Sequence, residues 1–271
     1  MKKYFNNISI EFLSAWILAI IWISPLLYAF WAAFHPQEYA IHFKILAPLT
    51  LSNFIEAWNQ VPFARYFLNT FLIVSSILIA QFFICTLAAY AFARYEFFGS
   101  KVLFAIILIQ LMIVPEILIV ENYNIMSKLN LVDTILGVGL PYMASAFGIF
   151  LLRQTFKSIP KELEEAARIE GCKLFGILLR VYVPLAKPTY LAYALVSVSY
   201  HWNNFLWPLV ITNSVNTRPL TVGLAIFGAP ESGVNWSIIS AATLLSVSPL
   251  LLGFILFQKQ FIQSFMFAGI K

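Results

Sequence analysis

Charged residues are scarce in this sequence, and their scarcity narrows the class of protein. Asp, Glu, Lys and Arg make up 11% of the 271 residues, whereas 61% are hydrophobic and the mean hydropathy is +0.84. Soluble domains carry about 25% charged residues. The two cysteines do not indicate a disulfide framework, since Cys85 lies in an apolar run and Cys172 in a charged segment. The composition therefore excludes an ordinary soluble domain and indicates an integral membrane protein.

Motifs for nucleotide hydrolysis and metal catalysis are also missing. The sequence contains no G-x-x-x-x-G-K-[ST] phosphate-binding loop, no H-E-x-x-H pair and no Cys/His cluster with zinc spacing. The three histidines, His35, His42 and His201, are scattered. We therefore expect no catalytic site, metal or cofactor in this chain, and an active process would take its energy from a partner.

Long apolar runs predict six membrane-spanning helices, because about 20 apolar residues cross a bilayer. The first run outlasts the roughly 7–15 apolar residues of a signal peptide and lacks a clear cleavage site, so we expect it to be retained. Four prolines interrupt the predicted spans, which neighbouring helices can tolerate. They are Pro115, Pro141, Pro208 and Pro249. The spans are 12–34, 66–92, 102–120, 135–152, 189–211 and 236–257, and residues 1–271 are predicted to form a single all-α transmembrane domain.

The distribution of basic residues predicts the orientation. If the N-terminus is inside, the inner segments hold thirteen of the seventeen Lys and Arg residues and the outer segments hold four. Such an excess is typical of cytoplasmic loops. Both termini and the connection between spans 4 and 5 are therefore predicted to be cytoplasmic, and the net charge of +5 needs no nucleic acid to explain it.

The connection between spans 4 and 5 carries the densest group of charges, in the run KELEEAARIEG from Lys161 to Gly171. Ser158 is a candidate N-cap, Pro160 suits a first helical turn, and Gly171 suits a C-terminal stop. A short helix over 162–170 is predicted, followed by a second helix over 172–182. From the residues alone, two readings stay open: a solvated loop helix, or an amphipathic helix that docks into a partner's groove.

The spacing of this segment resembles the EAA loop of the permease subunits of ABC importers. The resemblance rests on Glu165-Ala166-Ala167, Gly171, Val181, Pro184 and Pro188. It extends to HWNNFLWPLV from His201, to RPLTVGL from Arg218, and to the tail QKQFIQSFMFAGIK, and so covers nearly the whole chain. The tail departs from the family pattern at Ser264, where glycine is expected, and lacks the usual final glycine after Lys271. The maltose-type and glycerol-3-phosphate-type small permeases are the most similar.

The resemblance implies a fold, a function and a set of partners. The expected fold is a six-helix permease of the type I importers with a cytoplasmic coupling helix over 160–171. The expected function is import of a sugar or a related polyol such as a glycerol phosphate across the bacterial inner membrane. The expected partners are a second permease, two ATPase subunits that hold ATP and magnesium, and an extracytoplasmic solute-binding protein. The residues expected to couple to the ATPase are Leu163, Glu165, Ala166, Ala167, Arg168, Gly171 and Pro184.

Polar residues in the last two spans are candidates for the lining of a solute pathway. Tyr200, His201, Trp202, Asn203 and Asn204 form the densest group, and we interpret them as a pathway or gate. Single Ser and Thr residues in these spans are more typical of helix-to-helix hydrogen bonds. The few charges within the spans favour a neutral sugar over a phosphate ester.

Two other classes of function remain as alternatives. A membrane-embedded enzyme would use Glu116 and His201, because a carboxylate inside a span is a functional-site candidate. Glu116 equally suits the outer end of span 3, beside the kink at Pro115. A stand-alone channel or secondary carrier would need no ATPase and would leave the pattern of the charged segment unexplained.

Overall fold

The computed structural model describes residues 2–44, 47–228 and 233–269, and the regular elements found there are helices. The α-helices are α1 Lys2–Ala33, α2 Gln37–His42, α3 Ser52–Gln60, α4 Phe63–Arg94, α5 Ser100–Ile109, α6 Ile119–Lys128, α7 Ile135–Gly139, α8 Ala146–Ser158, α9 Lys161–Ile169, α10 Leu174–Ile177, α11 Val183–Leu185, α12 Lys187–Trp202, α13 Leu206–Ile211, α14 Leu220–Leu224 and α15 Trp236–Gly269. Short 3-10 turns lie at Gln110–Met112, Pro115–Leu118, Leu140–Tyr142 and Ala225–Gly228, and a π-helical turn lies at Leu178–Tyr182.

Three of the described helices are long and apolar enough to cross a membrane: α1, α4 and the first two-thirds of α15. Two bent pairs raise the number to five when each pair is taken as one span. Ser100–Met112 meets Pro115–Lys128 at 94°, and Ile135–Tyr142 meets Ala146–Ser158 at 49°. The fifth predicted span is α12 followed, after a turn at residues 203–205, by the short α13.

Proline explains some of these breaks and not others. Before Pro115 the backbone of Val114 is extended, with φ −71° and ψ 122°, because the proline ring crowds the preceding residue. Pro141 lies in the 3-10 turn that breaks span 4. The expected interruption at Pro249 is wrong, since α15 continues through it. Pro208 sits in the first turn of α13, where its missing N–H costs nothing.

The described chain divides into two compact units, of which the first comprises Met1–Ala64 and Gly223–Ser248. Its clearest polar contact is the buried Asn53 on α3. The Asn53 amide donates to the carbonyls of Ala33 and His35, both at 2.9 Å. Those carbonyls belong to the end of α1 and the residues just after it, where helices leave acceptors without partners. Asn53 therefore anchors α3 to the end of α1.

The second unit comprises Arg65–Val222 and Pro249–Lys271. One of its cores joins α4, α8 and the segment that follows α9, around Leu152, Phe156 and Tyr182. Gly148 lets α8 approach α12 closely, because a Cβ there would lie 2.7 Å from the Tyr193 ring. A second core surrounds Trp207, whose indole N–H donates to the Val138 carbonyl at 3.1 Å.

Asp133, the only aspartate in the sequence, fixes a loop of the second unit. Its carboxylate accepts from the backbone N–H groups of Asn213 and Ser214, at 2.9 and 3.1 Å, and from the Thr217 hydroxyl. Burial acts to raise the pKa of the Asp133 carboxyl, but these hydrogen bonds outweigh it and hold the pKa at about 2.

The Asp133 loop should loosen in acid. A carboxyl whose folded pKa is depressed stabilises the fold above its unfolded pKa, and the contribution is lost as the pH falls through the folded value. The window therefore runs from about pH 4 down to about pH 2. We expect amide-exchange protection at Asn213 and Ser214 to fall across this window, and Asp133→Asn to lower it already at pH 7. Glu121→Gln, at an exposed carboxylate, is the control. Unchanged protection in Asp133→Asn would contradict the assignment.

Candidate functional site

The charged segment folds as the helix α9, Lys161–Ile169, slightly offset from the prediction. The proposed N-cap is wrong: Pro160 occupies that position, and the Ser158 hydroxyl instead donates to the Thr155 carbonyl at 2.8 Å. The predicted C-terminal stop is confirmed in detail. Gly171 has φ +81°, its N–H donates to the Arg168 carbonyl, and the next N–H donates to Ala167. This pair of bonds is a Schellman motif, which favours glycine at the left-handed position.

The exposed face of α9 carries apolar side chains. Ile169 is 87% exposed and Leu163 is 45% exposed, although both are large hydrophobic residues. Glu165 and Ala166 lie on the same outer side of the helix. Ala167, one of the residues expected to couple to the ATPase, is buried in the protein's own core, so its side chain is not part of this exposed face. Beyond Gly171 there is open space, with no atom within 4 Å of an added Cβ.

The inner face of α9 buries the carboxylate of Glu164, which is 7% exposed. The carboxylate accepts from the Tyr182 hydroxyl at 2.6 Å, from the Tyr90 hydroxyl at 3.0 Å and from the Arg168 guanidinium at 2.6 Å. Arg94 Nε lies 3.6 Å from the same carboxylate. We call Tyr90, Arg94, Glu164, Arg168 and Tyr182 the carboxylate cluster. Three separate elements, α4, α9 and the π-helical turn, meet at this one side chain.

The electrostatics of the carboxylate cluster keep Glu164 ionised. Burial acts to raise its pKa, but the hydrogen bonds from Tyr182, Tyr90 and Arg168 hold the pKa below the ordinary value. The same carboxylate raises the pKa of the Arg168 guanidinium. Glu164 is therefore a buried, fully hydrogen-bonded anion at neutral pH.

The connector after α9 differs from the predicted helix over 172–182. It begins as α10 at Leu174 and widens into a π-helical turn at Leu178–Tyr182. It ends as α11, whose Pro184 is exposed. Pro184 has no N–H to donate to the carbonyl four residues earlier, so the regular hydrogen-bond ladder is interrupted there. The widened turn lies directly before this proline and ends at Tyr182, which is fully buried among Tyr90 and Phe156.

A second polar group lies deeper along α4, around Gln81. The Gln81 amide donates to the Tyr142 carbonyl at 2.8 Å and accepts from the Ser197 hydroxyl at 2.6 Å. Its nitrogen also lies 3.3 Å from His201 Nε2. We call Gln81, Tyr142, Ser197 and His201 the amide layer. It joins α4 to α12 and to the break in span 4 through uncharged groups.

The structure divides the five residues predicted as a pathway or gate. Tyr200, 49% exposed, and His201, 9% exposed, both contact the Tyr142 ring. Trp202 is buried against Phe67 at 5.5 Å between ring centroids. Asn203 is exposed and donates to the carbonyl of its own helix at Ser199. The five residues therefore do not form one surface.

A small cavity lies next to the amide layer. Its lining includes Thr70, Tyr142, His201 and Asn204, and its volume is about 10 Å³. A cavity of this size holds about one water molecule. A sugar ring does not fit there in this conformation.

Glu116, the carboxylate of the enzyme alternative, is exposed in the 3-10 turn Pro115–Leu118. Within 2–44, 47–228 and 233–269, no three His, Cys, Asp or Glu side chains are grouped as metal ligands would be. The tail that resembles the family ending lies mostly outside the described side chains: from residue 259 onward only its backbone is described, as far as Gly269.

The sequence reasoning missed the residues that hold these groups together. Tyr90, Arg94 and Tyr182 lie far from Glu164 along the chain, and no local pattern pairs them. Gln81 gave a usable signal, since it is a polar residue within a long apolar run. Among the four glutamates of the charged segment, the sequence gives no direct sign of which one faces inward.

Comparison with known proteins gives a consistent result. Residues 65–266 match the family described as binding-protein-dependent transport system inner membrane component. The arabinooligosaccharides transport system permease protein AraQ of Halalkalibacterium halodurans is 35% identical over 94% of this chain and 93% of its own length. The sn-glycerol-3-phosphate transport system permease protein UgpE of Pectobacterium atrosepticum is 29% identical over 91% of this chain and 93% of its own.

Solved structures agree on the fold. A chain of a bacterial ABC transporter involved in the import of the acidic polysaccharide alginate has a TM-score of 0.80 and 22% identity, and covers 95% of this chain and 96% of its own. A chain of the alginate transporter in complex with an alginate pentasaccharide-bound periplasmic protein has a TM-score of 0.66 and 16% identity, with 94% and 97% covered. The predicted all-α permease fold is confirmed, and the chain belongs to the family of binding-protein-dependent inner membrane transport components, as a non-enzymatic permease subunit of an ABC importer.

Proposed function

We propose that this permease imports a neutral sugar or oligosaccharide. The supporting observation is the amide layer, where an amide, a hydroxyl, a carbonyl and an imidazole meet without a Lys or Arg partner among their described contacts. Neutral donors and acceptors of this kind suit hydroxyl groups, whereas a phosphate ester would favour Arg or Lys. The names of the relatives include both an arabinooligosaccharide and a glycerol phosphate transporter, and the uncharged layer favours the first kind of solute.

The exposed face of α9 is the surface proposed to dock on an ATPase subunit. Its apolar contacts are Leu163 and Ile169, with Ala166 between them and the charges of Glu165 and Arg168 at the rim. Apolar anchors spaced three residues apart, with a polar rim, are how a helix binds in a groove. Gly171 and Pro184 are also exposed, and we include both in the proposed surface. Ala167 supports the surface from behind, because it packs inward.

The proposed complex follows from this surface. Two permeases, each contributing a single transmembrane domain, would enclose the pathway between them. Two ATPase subunits would bind ATP and magnesium, and a solute-binding protein would deliver the sugar on the outer side. Docking of an ATPase places α9 in the cytoplasm, and with six spans both termini lie there as well. The proposed location is the bacterial inner membrane. The excess of basic residues in the inner segments supports the same orientation.

Ile169→Ala tests the docking surface. Burial of an exposed isoleucine contributes about 1.5–3 kcal/mol, so its truncation should weaken binding of the ATPase subunits by about tenfold or more. The measurement is the affinity of purified ATPase subunits for the permeases in nanodiscs. Ile117→Ala, at an isoleucine that is 74% exposed on a different helix pair, is the matched control and should bind normally. Equal affinities of both variants would refute the docking surface.

The solute is tested by ATPase stimulation in the reconstituted complex. A solute-binding protein loaded with a neutral oligosaccharide should stimulate ATP hydrolysis. A solute-binding protein loaded with glycerol 3-phosphate should not. Gly171→Asp should abolish the stimulation, because it puts a charge and a side chain at a left-handed residue of the docking surface. Stimulation by the glycerol 3-phosphate-loaded protein alone would contradict the proposed sugar and would indicate an anionic solute.

A further inference from the structure

The carboxylate cluster fastens α9 to one particular helix, α4. Two residues in the last turns of α4 make this connection. Tyr90 donates to the Glu164 carboxylate, and Arg94 lies beside the same carboxylate at 3.6 Å. The Arg94 guanidinium also donates to the carbonyl of Ile159, in the link that leads into α9. Both the helix and the chain that enters it are therefore held by the end of α4.

The other end of α4 is equally well connected. α4 is an unbroken helix of 32 residues, about 48 Å long at 1.5 Å per residue. Near its start, the Asn69 amide donates to the Arg218 carbonyl at 2.8 Å, and the Thr70 hydroxyl accepts from the Leu220 N–H at 2.8 Å. Midway along, Gln81 forms the amide layer with α12. In contrast, the helix pairs α5–α6 and α7–α8 are bent.

We propose that Glu164 and Arg94 are positioning residues for energy coupling, which make α9 and α4 move together so that a displacement of α9 reaches the amide layer through α4. This inference rests on the proposed docking of α9 to the ATPase. Directional hydrogen bonds and an ion pair hold two helices in one register, whereas apolar contacts alone let packed helices slide. A buried ion pair is also a poor device for stability alone, because apolar residues of similar volume often stabilise a protein as well or better.

The experiment measures ATP hydrolysed per solute imported, in proteoliposomes that contain the complete complex. The variants are Glu164→Gln, Arg94→Gln and the double variant. Glu96→Gln is the matched control, since it makes the same change at an exposed glutamate just beyond the end of α4, outside the carboxylate cluster and the docking surface. A purely structural role would lower the amount of assembled complex without changing this ratio. Wild-type complex is measured in parallel, and absence of ATP-driven import there would refute the proposed function instead.

We expect each single variant to raise the ratio by about fivefold or more, the lower end of typical coupling between sites. The double variant should raise the ratio no further than either single variant does, because both changes break the same connection. Glu96→Gln should match the wild type. An unchanged ratio in Glu164→Gln and Arg94→Gln would overturn the proposal, and so would strictly additive effects in the double variant.

Two milder variants keep the test decisive if Glu164→Gln fails to assemble. Tyr90→Phe removes the hydroxyl that ties α4 to Glu164, whereas Tyr182→Phe removes a shorter bond, 2.6 against 3.0 Å, from the π-helical turn. The route through α4 requires the larger change in the ratio in Tyr90→Phe. A role in stability predicts the opposite order, since the Tyr182 bond is shorter and its side chain is fully buried. The larger effect in Tyr182→Phe would overturn the proposal.

Discussion

The buried carboxylate of Glu164 is the interaction on which the surface of α9 depends. An ion taken out of water costs several kcal/mol unless its hydrogen bonds and charge are compensated. Tyr90, Tyr182 and Arg168 supply three hydrogen bonds and Arg94 a nearby charge, so this orientation of the helix compensates the buried carboxylate. That orientation turns Leu163 and Ile169 outward and leaves an apolar surface free for a partner.

The bilayer imposes the second constraint, because backbone groups inside it need partners. At the breaks in the described spans, side chains provide them. The Gln81 amide donates to the Tyr142 carbonyl, the Trp207 indole donates to Val138, and the Gln110 side chain accepts from the Ala146 N–H at 3.3 Å. Bent helices are thus compatible with the membrane here, and the same side chains join α4, α13 and the turn after α5 to span 4.

Much of this architecture could be predicted from the sequence, and the limits have physical causes. The apolar runs predicted the spans, and Pro115 and Pro141 marked two breaks, but a proline does not reveal a bend of 94° or 49°. Gly171 correctly ended α9 because its left-handed backbone is a local property. The facing of α9 was not predictable from amphipathicity: its apolar side is exposed and a glutamate is buried, which reverses the usual rule for a helix on a core. The partners of Glu164 lie 74 and 18 residues away at Tyr90 and Tyr182, beyond any local pattern.

The most direct measurement is the distance between α9 and the end of α4 during the ATP cycle. Spin labels at Glu162→Cys and Glu96→Cys, both exposed, would report it by pulsed electron paramagnetic resonance, with Cys85 and Cys172 replaced by serine. Our account predicts the same distance distribution for this pair in the nucleotide-free and the ATP-bound complex. In contrast, the distance from the Glu162→Cys label to a label on the second permease should change between the two states. A distribution that shifts between the two states within this chain would show that α9 moves independently of α4, and would contradict the account.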